Sequence, residues 1–195
     1  MTNQKIILAS NSPRRKQLLE WAEIDFDILV RETDESYPPG LDIEQVPVHI
    51  ARGKAMAAMS TDLYRKYETG RLVLAADTIV IIDQEIMGKP TNREDAIMML
   101  GRLSGCSHNV ITGVVMTDGQ KEIAFHEITE VQFHDIPPRA IEYYVDQYKP
   151  YDKAGGYAIQ EWIGVVGIKH IRGDFYNVMG LPVSRVVGVL INEFS

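Results

Sequence analysis

Cysteine is almost missing from this chain: Cys106 is the only one in 195 residues. A single thiol forms no disulfide within the chain, so a reducing, cytoplasmic setting is expected. Long apolar runs are missing too. No stretch approaches the roughly 18 apolar residues of a membrane span, and the apolar run within residues 1–9 is too short for the hydrophobic region of a signal peptide. A membrane is therefore not an expected partner. Positive charge is in deficit, with 20 Lys and Arg against 27 Asp and Glu and a formal charge of −7. That balance disfavours a surface for a nucleic-acid polymer, because phosphate neutralisation supplies most non-specific affinity. It leaves room for a small basic pocket. The five histidines, His49, His108, His126, His134 and His170, show no close ligand spacing, so a zinc site is not expected. Neither a GxxxxGK[ST] loop nor a GxGxxG turn after a strand occurs, and both common nucleotide-binding signatures are excluded.

Hydrophobic residues make up 45% of the chain and charged residues 24%, the balance of a globular protein with a substantial core. No repeat or long linker divides residues 1–195, so one domain with two lobes is expected. Strands are expected at Ile6–Ala9 and Phe26–Val30, with a helix from about Ser12 to Trp21 between them. Arg31 to Gly40 reads as an acidic loop, and a long helix is expected from about Ile43 to Tyr67. Leu72–Ala76 is apolar without alternation, as in a strand covered on both faces. Asp77 and Thr78 follow it, then Ile79–Ile82 with a turn at Asp83-Gln84. A helix over Asp95–Leu103, a hairpin of Val110–Thr117 with Lys121–Phe133, and a helix from Pro137-Pro138 to Tyr148 come next. Late strands are expected around Ile163–Ile171, before a terminal helix from about Pro182. The interleaving points to an α/β fold with a mixed sheet rather than a strictly parallel one.

Chemistry concentrates first at Ser10-Asn11-Ser12-Pro13-Arg14-Arg15. Ser12 suits an N-cap and Pro13 the first helical turn. Adjacent arginines there oppose the helix dipole, and an anion bound at the helix start, phosphate above all, explains them. The plainer alternative is a capped surface helix with solvated arginines. Asp77 stands at the end of an apolar strand, where a carboxylate needs a cation or a hydrogen-bond network. Glu32, Asp34 and Glu35 add oxygen ligands in the acidic loop. Carboxylates near a phosphate call for a divalent cation between them, and magnesium suits one or two carboxylates plus substrate phosphates.

Three lysines stand in suggestive contexts. Lys54 lies in Ala51-Arg52-Gly53-Lys54-Ala55, Lys89 in Gly88-Lys89-Pro90, and Lys153 in Asp152-Lys153-Ala154-Gly155-Gly156. Asp152-Lys153 reads equally as a local ion pair or a functional pair. Arg172-Gly173-Asp174 reads as a turn. Tyr157, Trp162, Phe175 and Tyr176 suit core packing or stacking on a base.

The order of these pieces carries more than any one of them. Ala9-Ser10-Asn11-Ser12-Pro13-Arg14-Arg15, Glu35, Ala51–Ala55, Ala75-Ala76-Asp77-Thr78-Ile79-Val80 and Gly88-Lys89-Pro90 follow in succession. Leu103-Ser104-Gly105, His108–Gly113, Asp152–Gln160 and Val178-Met179-Gly180-Leu181-Pro182 complete the series. The set resembles the Maf family of nucleotide pyrophosphatases across nearly the whole chain. The resemblance implies a fold similar to the inosine triphosphate pyrophosphatases, with two lobes around a cleft. It implies hydrolysis of a nucleoside triphosphate to the monophosphate and pyrophosphate with a divalent metal, magnesium or manganese. Asp77 would then be the proton acceptor and, with Glu35 (or Asp34 in its stead), a metal ligand. Ser10, Arg15, Lys54 and Lys89 would hold phosphates, and Arg14, Thr78 and Gln160 would select the base. Asp152–Gln160 resembles the branch acting on dTTP and UTP, although Glu161 stands where glycine often follows the glutamine. A homodimer is compatible with the family. A house-cleaning pyrophosphatase for a non-standard purine nucleotide such as 7-methyl-GTP, and a non-catalytic division regulator acting by protein contact, stay open as alternatives.

Overall fold

Ile6, Ile7 and Leu8 bring only backbone polarity into the interior, and a sheet is what satisfies it. The computed structural model describes residues 5–67 and 70–194. The start of the short N-terminal run, residues 1–4, lies outside them, as do residues 68–69 and 195. The elements in order are β1 (Ile6–Leu8), α1 (Pro13–Trp21), β2 (Phe26–Ile28), α2 (Val46–Met59), β3 (Val73–Ile82), β4 (Glu85–Met87), α3 (Arg93–Leu103), β5 (Ser107–Thr117), β6 (Glu122–Phe133), α4 (Pro138–Tyr148), α5 (Trp162–Gly167), β7 (Ile168–Arg172), α6 (Phe175–Met179) and α7 (Val183–Glu193). Among the described residues the strands form a seven-stranded sheet in the order β2-β1-β3-β5-β6-β7, with β4 paired to β3. β1 runs parallel to β2 and β3, while β4 and β7 pair antiparallel with β3 and β6. The sheet is mixed, as expected. No helix among the described residues is long and apolar enough to cross a membrane.

Contacts divide the chain into two compact units, one of Met1–Asp77, Thr112–Glu127 and Gly180–Ser195, the other of Thr78–Ile111 and Ile128–Met179. In the first, Ala51, Ala55 and Ala58 of α2 pack with Ile7, Ala9, Val73, Ala75 and Val115 in one core cluster. Small side chains bring the helix close, and Gly113 closes the remaining gap. A Cβ on Gly113 would stand 2.2 Å from the Val48 nitrogen and 2.3 Å from the Pro47 carbonyl carbon.

The helix expected over Ile43–Tyr67 is shorter than the sequence suggests. A 3-10 turn over Ile43–Gln45 precedes α2, and another over Tyr64–Lys66 follows it. Hydroxyls end the helix: Ser60 Oγ donates to the Ala57 carbonyl (2.8 Å) and Thr61 Oγ1 to the Ala58 carbonyl (2.7 Å), competing with helical bonding.

In the second unit, Asp83 and Gln84 both take positive φ and turn β3 into β4. α3 is capped by Asn92, whose Oδ1 accepts from Asp95 N at 2.9 Å. A bidentate ion pair from Arg93 to Asp146 (2.6 and 3.0 Å) joins α3 to α4. Strands were expected around Ile163–Ile171, but Trp162–Gly167 is a helix and only Ile168–Arg172 is a strand. The β-branched Ile163, Val165 and Val166 favour a strand by composition; packing overrides them. Gly164 sits so close to Ile159 that a Cβ would come 1.8 Å from its carbonyl oxygen.

His108, Phe133 and Tyr157 form a T-shaped cluster in this unit, with ring centroids 5.0–5.4 Å apart. His108 Nε2 meets the Tyr157 hydroxyl at 2.7 Å. Burial pushes the His108 imidazole down from 6.5 to about 4.

Two outcomes follow for stability. The unfolded chain binds a proton at His108 near pH 6.5 and the folded chain only near 4, so stability is intact above pH 6.5 and falls as pH drops toward 4. Between pH 7.5 and 5 the loss amounts to about 2 kcal/mol. Urea unfolding at both values checks it, and His108→Gln should flatten this part of the dependence; an equal slope in the variant would contradict the assignment. Gly113→Ala should cost about 2 kcal/mol or more, since backbone rather than a flexible side chain must yield. An unchanged unfolding midpoint would show that the close approach is dispensable.

Candidate functional site

The turn from β1 into α1 is built by its own hydroxyls. Ser12 Oγ accepts from Arg15 N at 3.4 Å as the N-cap, and Ser10 Oγ accepts from Ser12 N at 3.2 Å. Arg15 then folds back over the turn. Its Nη1 donates to Ser10 Oγ at 3.0 Å and its Nε to the Gly180 carbonyl at 2.8 Å. The plain alternative of two solvated arginines fails for Arg15, which is buried. Burial holds its guanidinium below its ordinary pKa, while the nearby Asp77 charge pulls it back up. Arg14 is half-buried beside it.

Asp77 lies within β3, not at its end as expected: the strand continues through Thr78-Ile79-Val80-Ile81-Ile82, whose β-branched side chains keep it extended. The carboxylate is met by Lys54 from α2, with Nζ 2.6 Å from Asp77 Oδ1. The same Nζ lies 2.7 Å from Oε1 of Glu35 in the acidic loop. Side-chain exposure falls from 46% at Glu35 through 18% at Lys54 to 12% at Asp77. The deepest carboxylate therefore leans on the ammonium, and the outer one closes the group toward solvent. Asp34 turns away, accepting from Ser36 N (3.0 Å) and Ser36 Oγ (2.8 Å), which lowers its pKa. Of the two acidic-loop residues, Glu35 is the one at Lys54. Ser10, Arg14, Arg15, Glu35, Lys54 and Asp77 all belong to the first unit.

Thr78, Lys89 and Gln160 belong to the second unit. Thr78 is half-buried on β3, and Lys89 is exposed after β4. The Gly88 carbonyl accepts from Gly155 N at 3.0 Å, so the Lys89 loop is tied to the Asp152–Gln160 segment. Gly155 takes φ +68° there, directly over Val80. Gln160 is exposed in a turn closed by Glu161 N donating to the Ala158 carbonyl at 3.1 Å. Lys153 is buried and paired with Asp152 at 2.7 Å and Glu161 at 3.4 Å. The local ion pair is present, and its extension to Glu161 was not legible beforehand.

Two further participants escaped the sequence reading. The Gly180 carbonyl receives Arg15, and Tyr144 donates its hydroxyl to Glu161 Oε2. Gly180 stood in a recognised motif without a role. Tyr144 is an ordinary buried position of α4, with no signal of its own.

Among the described residues, no group of three or more His, Cys, Asp or Glu side chains gathers as a protein-only metal cage. Two carboxylates on one cation are nonetheless a donor set that fits a hard divalent ion completed by phosphate oxygens, the arrangement magnesium favours.

These features define a mixed-sheet α/β protein with cationic and anionic side chains gathered around the start of its first helix. The chain belongs to the Maf family: the family model described as Maf-like protein matches residues 5–193. It is 48% identical over 193 residues to a dTTP/UTP pyrophosphatase of Cytophaga hutchinsonii, covering 99% of this chain and 86% of that one. It is 49% identical over 183 residues to a protein of the same name from Parabacteroides distasonis, covering 93% and 92%. A further relative so named, from Porphyromonas gingivalis, is 47% identical over 192 residues, covering 98% and 93%. Among solved structures, the Staphylococcus aureus Ham1 protein aligns with a TM-score of 0.47 at 14% identity, covering 68% of this chain and 73% of that one. That likeness is too partial to carry weight beside the sheet order itself.

Lys54→Met should leave Asp77 in a buried strand beside Glu35 without its cation. The expected cost is about 1–3 kcal/mol in urea unfolding. Adding Asp77→Asn should recover part of it, because the neutral amide needs no counter-charge. Strictly additive effects of the two substitutions would show that the pair is not coupled.

Proposed function

We propose that this chain is a nucleoside triphosphate pyrophosphatase that hydrolyses dTTP and UTP to the monophosphate and pyrophosphate. The observation that carries the reading is Lys54 held between Asp77 and Glu35 in the unit that also contains the Ser10–Arg15 helix start. The relatives' shared name supplies the substrate.

Asp77 orients a water molecule toward the α-phosphorus and takes its proton. A bond forms from the water oxygen to phosphorus, the bond from phosphorus to the bridging oxygen breaks, and pyrophosphate leaves with that electron pair. Ser10, Arg15, Lys54 and Lys89 hold phosphate oxygens and offset the charge that develops on them. Glu35 and Asp77 would hold a divalent cation, magnesium or manganese, whose Lewis acidity would offset phosphate charge. Arg14, Thr78 and Gln160 select the base. An amide and a guanidinium read the O2, N3–H and O4 edge of a pyrimidine, and the thymine methyl needs only apolar room.

The proposal extends to one functional domain with two lobes, in keeping with the family match over residues 5–193. It extends to a cytoplasmic setting, in keeping with the lone free thiol of Cys106, and to a homodimer, which rests on the family resemblance alone.

Pyrophosphate release from separate standard and modified nucleoside triphosphates, with magnesium and then manganese, tests this reading. Fast release from dTTP and UTP is expected, with Asp77→Asn slower by about 10²–10⁴-fold. Release confined to a modified purine such as 7-methyl-GTP would keep the chemistry and overturn the base assignment. No release from any nucleotide with either metal would favour a regulator acting by protein contact.

A further inference from the structure

The turn that carries Gln160 is held at both ends by one buried hydroxyl. Ala158 N donates to the Tyr144 hydroxyl oxygen at 3.2 Å, and that hydroxyl donates to Glu161 Oε2. Ala158 and Glu161 are the first and last residues of the four-residue turn, joined by the 3.1 Å bond from Glu161 N to the Ala158 carbonyl. Gln160 occupies its third position. Glu161 is held in turn by Lys153 Nζ at 3.4 Å from Oε1, and Lys153 by Asp152 at 2.7 Å. From below, Gly164 packs against the Ile159 carbonyl with no room for a Cβ. The ring of Tyr144 is fully buried and stacks on Tyr148 at 5.0 Å, so the hydroxyl has a fixed platform.

We propose that Tyr144 and Glu161 are positioning residues for base selectivity: their hydroxyl–carboxylate clamp fixes the backbone of the Ala158–Glu161 turn and so the direction in which it presents Gln160. The inference rests on the reading of Gln160 as a base-selecting residue. An exposed glutamine on a free turn samples many orientations and reads a base edge poorly. On a clamped turn its backbone is fixed before the nucleotide arrives, and less ordering remains to be supplied on binding. Burial and the Glu161 carboxylate both push the Tyr144 hydroxyl's pKa up, keeping its proton in place as a donor.

The test compares UTP with CTP in Tyr144→Phe, Glu161→Ala, Glu161→Gln and Gln160→Ala, reading kcat and KM separately. Tyr144→Phe and Glu161→Ala should raise KM for UTP about tenfold and lower the UTP-to-CTP ratio of kcat/KM similarly, with kcat falling less than KM rises. Glu161→Gln keeps an oxygen for the hydroxyl and should restore most of what Glu161→Ala loses. Amide hydrogen exchange at Ala158 should quicken in Tyr144→Phe. If Gln160→Ala loses discrimination while Tyr144→Phe and Glu161→Ala keep it, the clamp is overturned and the reading of Gln160 stands. If Gln160→Ala also keeps it, the base-selecting role falls and the inference with it. Should Tyr144→Phe fail to fold, the Glu161→Ala and Glu161→Gln pair decides alone, and equal ratios in the two would overturn the clamp.

Discussion

A carboxylate placed inside a buried strand has to be answered by a cation, and most of the first unit is arranged around that demand. Asp77 interrupts ten strand residues that are otherwise apolar except for Thr78. Left alone, its ionised form would lose several kcal/mol of solvation, and the strand would tend to open toward water. Lys54 meets it at 2.6 Å from a different element. The pairing works only if α2 lies at a fixed depth and rotation over the sheet. That depth is set by the alanine face of the helix and by the missing Cβ of Gly113. A contact between helix backbone and strand backbone thus decides where an ammonium group ends, several residues further along the helix.

The same logic explains why Arg15 is tolerated in the interior. A buried guanidinium is costly unless its donors are used. Ser10 Oγ and the Gly180 carbonyl accept from it, and the field of Asp77 offsets part of the desolvation. Arg15 therefore belongs to the frame as much as to any ligand. Its position orients Ser10, whose hydroxyl oxygen also accepts from Ser12 N, the backbone group nearest the helix start. Cap, turn and cation form one connected unit.

Much of this was legible in the chain, for reasons that can be named. Ser12-Pro13 after an apolar run identifies the β1–α1 turn because cap chemistry is local. Two arginines against a helix dipole mark a place where cations need partners because the conflict is local too, and for Arg15 the structure supplies Ser10 Oγ and the Gly180 carbonyl. Asp77 was legible as a residue needing a partner, but its place within the strand was not: the break in apolarity resembles a strand end. Trp162–Gly167 misled through β-branched composition, since only the approach of Gly164 to Ile159 makes the helix the better choice there. Which of Asp34 and Glu35 meets Lys54 was closed to sequence, because it depends on Ser36 capturing Asp34 and on where α2 delivers Lys54. Tyr144 was invisible for the same reason: its partner lies 17 positions away, across two further turns of chain.

The first unit gathers charges of both signs within reach of one another, and that bears on what the proposed substrate must look like. Glu35 and Asp77 share one ammonium, which leaves that group net negative. Arg14 and Arg15 stand at the start of α1, which adds its own partial positive charge, and Asp77 and Glu35 are near enough to act on Arg15 there. A bare triphosphate would be drawn to the arginines and repelled by the carboxylates. A triphosphate already carrying a divalent cation presents both signs and can satisfy arginines and carboxylates at once. Repulsion by the carboxylates therefore acts as a filter on the proposed reading: it disfavours the nucleotide without its metal, and it does so before any bond to phosphorus is formed.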